Sequence, residues 1–146
     1  MKKIAISLLF LLCIHIAKAQ VDISTSQLID TKWEKIISGS KYDSTTTLFT
    51  IDEMIDSTYN SLLEVSTIRS LNYYITNELP SYYKFYSKYV GQERRGRYLV
   101  VYYPKVNEVD YYTVMSFTDD ELVLFHKAKP GTIPGIDVYI KCKRVR

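Results

Sequence analysis

Between Gly96 and Lys127 the chain reads GRYLVVYYPKVNEVDYYTVMSFTDDELVLFHK, short apolar runs that two polar breaks divide. Tyr98–Tyr103 is apolar on both faces of an extended chain. Pro104 cannot donate to a ladder and belongs at a strand end. Lys105–Glu108 is a loop, Val109–Phe117 a return strand, Thr118–Glu121 a tight turn and Leu122–Lys127 a third strand. The carboxylates of that turn can bond their own backbone. Ala128–Gly135 is a Pro/Gly loop, and Ile136–Val145 is a last strand. These four strands form an antiparallel meander.

Upstream the pattern is less regular. TKWEKIIS from Thr31 places Trp33 with Lys35 and Ile37 on one side, an imperfect alternation. Gly39–Ser44 is a turn by composition, and Thr45–Ile51 is β-branched and aromatic, as strands prefer. Ile55, Tyr59, Leu62 and Leu63 share helical spacing, yet Ser, Thr and Val dilute helix propensity there. Two strands, Thr58–Val65 and Ile68–Thr76, are expected, with a helix over Glu53–Leu63 left open. Ser81–Val90 fits either state, and Gly91–Gly96 is a charged turn. The predicted fold is mainly β. It is an antiparallel meander of eight to nine short strands, as in a closed barrel or a sandwich, with room for one short helix.

The first nineteen residues stand apart. Met1-Lys2-Lys3 is a basic start, Ile4–Ile16 an apolar run, and Ala17-Lys18-Ala19 an A-x-A cleavage site. This is the signature of a signal peptide, too short to span a bilayer. Cleavage after Ala19 would leave an exported, periplasmic or secreted protein beginning at Gln20, with no membrane span. Cys13 lacks the small preceding residue that lipid-modified cysteines want, because Leu12 stands there. Residues 20–30 read as a flexible lead-in and 31–146 as the barrel domain.

Export changes the charge argument. The whole chain is +3, with 19 basic and 16 acidic residues. Removing Lys2, Lys3 and Lys18 leaves 16 against 16. A neutral chain carries no general electrostatic footprint for nucleic acid. One cysteine, Cys142, and one histidine, His126, remain. A single thiol closes no internal disulfide, so stability must come from apolar burial, with Cys142 as a small buried hydrophobe.

Tyrosine is the outstanding feature: 14 occur, eleven of them between Tyr73 and Tyr112. Each offers an apolar face and a polar tip, suited to a half-wet cavity or an interface. Along the return strand, Val109, Tyr111, Thr113, Met115 and Phe117 form the more apolar row, which is expected to face inward. An eight-stranded barrel either fills itself with side chains or holds one small ligand. The expected ligand contacts are Tyr102, Tyr111, Thr113 and Met115.

Other chemistry is thin. No G-x-S-x-G surrounds a serine, and His126 has no evident nucleophile, so no catalytic residue is expected. A lone histidine makes a poor metal site, and no cofactor is implied. Asp119, Asp120 and Glu121 lack calcium-loop spacing and read as a solvated turn. Arg94, Arg95 and Arg97 form the one basic cluster. It reads as a solvated turn, or as an anion contact at a barrel mouth.

Trp33 in DTKWEK, the late YYTVMSFTDDELVLFHK and Arg144 near the end of the last strand together resemble small lipocalin-like proteins. The likeness is to calycin-type proteins exported by Bacteroidetes-type bacteria. Thr31 stands where the lipocalin Gly-x-Trp signature has glycine. The resemblance implies an eight-stranded barrel closed at one end by Trp33, with Arg144 packed across its ring as a structural cation–π contact. The function expected first is binding of a small apolar or amphipathic ligand in the barrel. The alternative is a non-enzymatic protein-interaction or cell-envelope module whose interior is packed and whose tyrosines face outward, engaging a protein partner.

Overall fold

In a computed structural model describing residues 21–36, 43–132 and 135–146, eight strands close into one antiparallel barrel. A two-strand ribbon comes first and closes later: β1 (Ile23–Ser24) pairs with β6 (Arg95–Gly96). The barrel strands are β2 (Thr31–Lys35), β3 (Asp43–Phe49), β4 (Glu53–Asn60) and β5 (Val65–Thr76), then β7 (Tyr98–Tyr103), β8 (Glu108–Phe117), β9 (Glu121–His126) and β10 (Val138–Val145). Each pairs with its neighbour in the chain, and β10 returns to β2, with Arg144 opposite Trp33. The proposed leader and residues 39–42 of the expected Gly39–Ser44 turn lie outside the described residues, while Asp43 and Ser44 already belong to β3.

The expected mainly β barrel is therefore present. Its local boundaries differ upstream. The ambiguous stretch is two strands and no helix, but the turn falls at Ser61–Glu64 rather than after Val65. Asn60 Oδ1 accepts the amide of Leu63 at 2.8 Å, and Glu64 takes a left-handed φ of 55°. The two leucines at the centre of this turn mask the Asn60-Ser61 signal that precedes them. Ser81–Val90 is irregular except for one 3-10 turn at Ser87–Tyr89.

Residues 21–30 are not a flexible lead-in. After β1, a one-turn helix α1 (Thr25–Leu28) tucks beneath the barrel with Ile23 and Leu28 fully buried. The Ser24 amide donates to Gln27 Oε1 at 2.8 Å, and the Thr25 amide donates to Arg94 O at 2.9 Å. Two large apolar side chains anchor this short polar segment, because burying each removes its surface from water. They share one core with Trp33, Phe49, Leu99 and Val114. Gly96 belongs to this closed end: a Cβ there would stand 2.1 Å from the backbone carbon of Thr76.

The barrel interior follows strict alternation on most strands. On β3, Thr45, Thr47 and Phe49 are buried; on β7, Leu99 and Val101 are. β8 breaks the rule. A bulge between Val114 and Ser116 shifts its register against β9, so Val114 pairs with Leu124 and Phe117 with Leu122. The extra residue lets both Val114 and Phe117 join the interior. Phe117 meets Trp33 at a ring separation of 5.8 Å.

Candidate functional site

The bulge decides where the expected contacts lie. Tyr112 and Val114 belong to the inner core, whereas Tyr102 and Tyr111 pack in a second apolar cluster with Tyr74, Val100 and Val109. Only Phe117 of the row expected inside reaches the interior, and it does so past the bulge. Thr113 stands in the outward phase beside Tyr98 and Phe125, and Met115 lines a surface dent with Val123 and Tyr139. The inward placement of Tyr102, Tyr111, Thr113 and Met115 is thus corrected.

The segment 77–94 covers that outer cluster as a strap. Its rings meet the barrel's outward tyrosines: Tyr82 on Tyr111 at 4.7 Å, Phe85 on Tyr102 at 5.1 Å, and Phe85 and Tyr89 on Tyr74 at 5.2 and 5.4 Å. Arg94 lies 3.7 Å over the Tyr89 ring and donates through Nε to Ile75 O at 2.8 Å. Arg97 Nε lies 3.6 Å from Asp22 Oδ1. The arginine cluster therefore belongs to the closed end and not to a mouth. Five of the 14 tyrosines, Tyr74, Tyr82, Tyr89, Tyr102 and Tyr111, belong to this second layer, where amphipathic rings bury their faces.

The other end of the barrel is polar inside. Asp56, only 3% exposed, is held by Lys35 Nζ at 3.1 Å and Thr47 Oγ1 at 2.5 Å, with Arg69 Nη2 at 3.5 Å. The hydroxyls of Tyr103 and Tyr112 are 3.0 Å apart. Burial pushes the Tyr112 hydroxyl far above its ordinary range, and the neighbouring Tyr103 adds to the shift. Burial raises Tyr103 as well. His126 Nε2 is 2.7 Å from Asp110 Oδ1, its ring 5.3 Å from that of Tyr112. The buried Cys142 thiol is pushed up to about 11, so at neutral pH it is protonated.

These groups satisfy one another, as buried polar groups must. Lys35, Thr47, Tyr112 and Cys142, with Trp33, Phe49, Leu124 and Ile140, line an interior cavity of about 20 Å³. That space admits one water. Ligand pockets run to roughly 300–1,000 Å³. Sequence reasoning missed Lys35, Asp56, Arg69, Tyr103, Asp110 and Tyr112. Once 53–60 is read as a strand, Met54, Asp56 and Thr58 fall on one face, and a carboxylate on an inward face is the signal that the helical alternative concealed.

At the closed end, Arg144 Cζ stands 5.8 Å over the Trp33 ring, while Trp33 Nε1 donates to Thr31 Oγ1 at 2.7 Å. Thr31, in the place of the signature glycine, thus gives the buried indole its hydrogen bond. In the Asp119–Glu121 turn, the Thr118 hydroxyl accepts the Glu121 amide at 3.0 Å, and Asp120 instead pairs with Arg146 at 2.7 Å. Among the described residues, no group of three or more His, Cys, Asp or Glu is placed to hold a metal. Nor is any helix among them long and apolar enough to cross a membrane. Comparison with protein-family models, with curated proteins and with solved structures found no match.

Proposed function

We propose that this chain is an exported, non-enzymatic interaction module of the cell envelope that binds through its outer surfaces, with its barrel acting as a packed scaffold. The observation carrying this reading is the interior cavity of about 20 Å³, lined mainly by packed apolar side chains, with Lys35 and Tyr112 already bonded to Asp56 and Tyr103. A ligand of even modest size would have to break the Lys35–Asp56 pair and the Tyr103–Tyr112 bond before gaining any contact. Apolar side chains stay exposed instead, among them Ile68 and Val106, which line one surface groove. Exposed apolar groups gathered on one part of a surface mark interaction sites.

The test is a titration with a long-chain fatty acid and a fluorescent apolar probe. No saturable binding is expected. Saturable binding with amide shifts at Leu124, Tyr112 and Cys142 would restore the small-ligand reading. Export is checked separately by sequencing the N-terminus of the protein recovered outside the cytoplasm, which should begin at Gln20.

A further inference from the structure

The strand β5 is twelve residues long, but β7 covers only part of it. Their pairing runs from Asn72–Tyr102 to Thr76–Tyr98 and stops there. The other side of β5 is paired with β4 from Val65–Asn60 to Asn72–Glu53. Val65–Leu71 therefore has a strand partner on one side only. Among the described residues, no backbone hydrogen bond outside the ladders reaches it. β7 leaves this edge because Pro104 ends it, and the chain turns at Asn107 with a left-handed φ of 54°.

The gap left behind is a groove of about 340 Å³. One wall is four consecutive residues, Ile68 to Leu71, and the other is Tyr103 to Val106. Consecutive strand residues point to opposite faces, so they can share one groove only if it runs along the edge itself. The edge is lightly defended. Natural edges carry outward or inward-pointing charges, proline or bulges that discourage pairing. Here Ser66, Ile68 and Ser70 form the outward row, and the single charge, Arg69, turns inward toward Asp56. Ile68 and Val106 are 68% and 63% exposed at its rim.

We propose that this free edge of β5 is a docking site for an extended, acidic peptide strand of a partner protein. The inference rests on the surface-module reading and names the surface. Main-chain hydrogen bonds to an open strand edge provide affinity, and side-chain pockets along it provide selectivity. With Arg69 turned toward Asp56, the groove's outward charge is the cationic Lys105, which selects a carboxylate on the incoming strand. Ile68 and Val106 receive its apolar side chains. The occupant is one strand and not a whole sheet, because the Tyr103–Val106 wall closes the groove opposite the edge.

The probe is a blocked heptapeptide of alternating valine and glutamate, titrated into the isotope-labelled protein and followed by amide shifts. Shifts are expected at Ser66–Leu71 and Tyr103–Val106. Methylating alternate peptide nitrogens, or replacing glutamate by lysine, should weaken binding at least about tenfold. Ile68→Lys should do the same while leaving the fold intact, since its side chain is exposed, and Lys105→Glu should invert the preference between the two peptides. Several results would overturn the proposal: no binding at millimolar peptide, equal binding of the methylated peptide, shifts centred on Tyr83 and Phe85, or sedimentation showing β5 edges paired between two copies. None of these touches the surface-module reading, which falls only if the apolar-probe titration shows an interior ligand.

Discussion

Lys35 Nζ on β2 lies 3.1 Å from Asp56 Oδ2 on β4, reaching across the inward face of the intervening β3. β3 contributes Thr47 to the other carboxylate oxygen. Three strands thus share one buried charge. Removing one partner of such a pair costs more than the pair's net worth, because the remaining charge stays in a poorly solvated place.

Lys35→Ala is expected to lower stability by about 3 kcal/mol, the lower end of the range for buried pairs. The discount reflects the partial exposure of the lysine side chain, and Arg69 stands 3.5 Å from the same carboxylate oxygen. Urea unfolding measures it. A loss below about 1 kcal/mol would place the pair among ordinary surface ion pairs.

Tyr103→Phe and Tyr112→Phe should each cost about 1–3 kcal/mol, because each strands the other hydroxyl in the interior. The double replacement should cost less than the sum of the two, since no orphan hydroxyl remains. Strict additivity would show that the 3.0 Å bond carries no coupling.

Gly96→Ala should lose at least about 3 kcal/mol or fail to fold, since an added methyl would overlap Thr76 backbone that cannot move aside. Thermal unfolding reads the loss. A neutral outcome would contradict the close approach of β6 to the end of β5.

Burial raises the Cys142 thiol from an ordinary 9.0 to about 11, and raises the hydroxyls of Tyr73, Tyr74, Tyr103 and Tyr112 as well. In each case the folded state holds its proton more tightly than the unfolded chain. Their contribution is whole below pH 9 and is lost as pH rises through the folded values. The thiol alone accounts for a slope of up to about 1.4 kcal/mol per pH unit between 9 and 11. The melting temperature should be flat to about pH 9 and then fall, less steeply in Cys142→Ala. Stability that increased above pH 9 would contradict the burial.

Much of the fold was legible because the late strands alternate cleanly between turns that carry Pro, Gly or Asp. The β4–β5 turn was not, since Leu62 and Leu63 occupy it, and neither was the ordered start, where Ile23 and Leu28 are isolated apolar residues in a polar stretch. Tyr102 failed because β7 is apolar on both faces and hides its phase; the three expected contacts on β8 failed for a local reason. A single extra residue at the Val114–Ser116 bulge changes which β8 residues face inward, and composition favoured the wrong row. The polar interior was hidden for a related reason, since Asp56 and Lys35 signal a site only once the phase of their strands is known.

Native mass spectrometry of the protein recovered from its own cells tests the packed interior most directly. The expected spectrum shows the mass of the polypeptide alone. A recurrent non-covalent adduct of several hundred daltons, whose contacts map to Leu124, Tyr112 and Cys142, would contradict it.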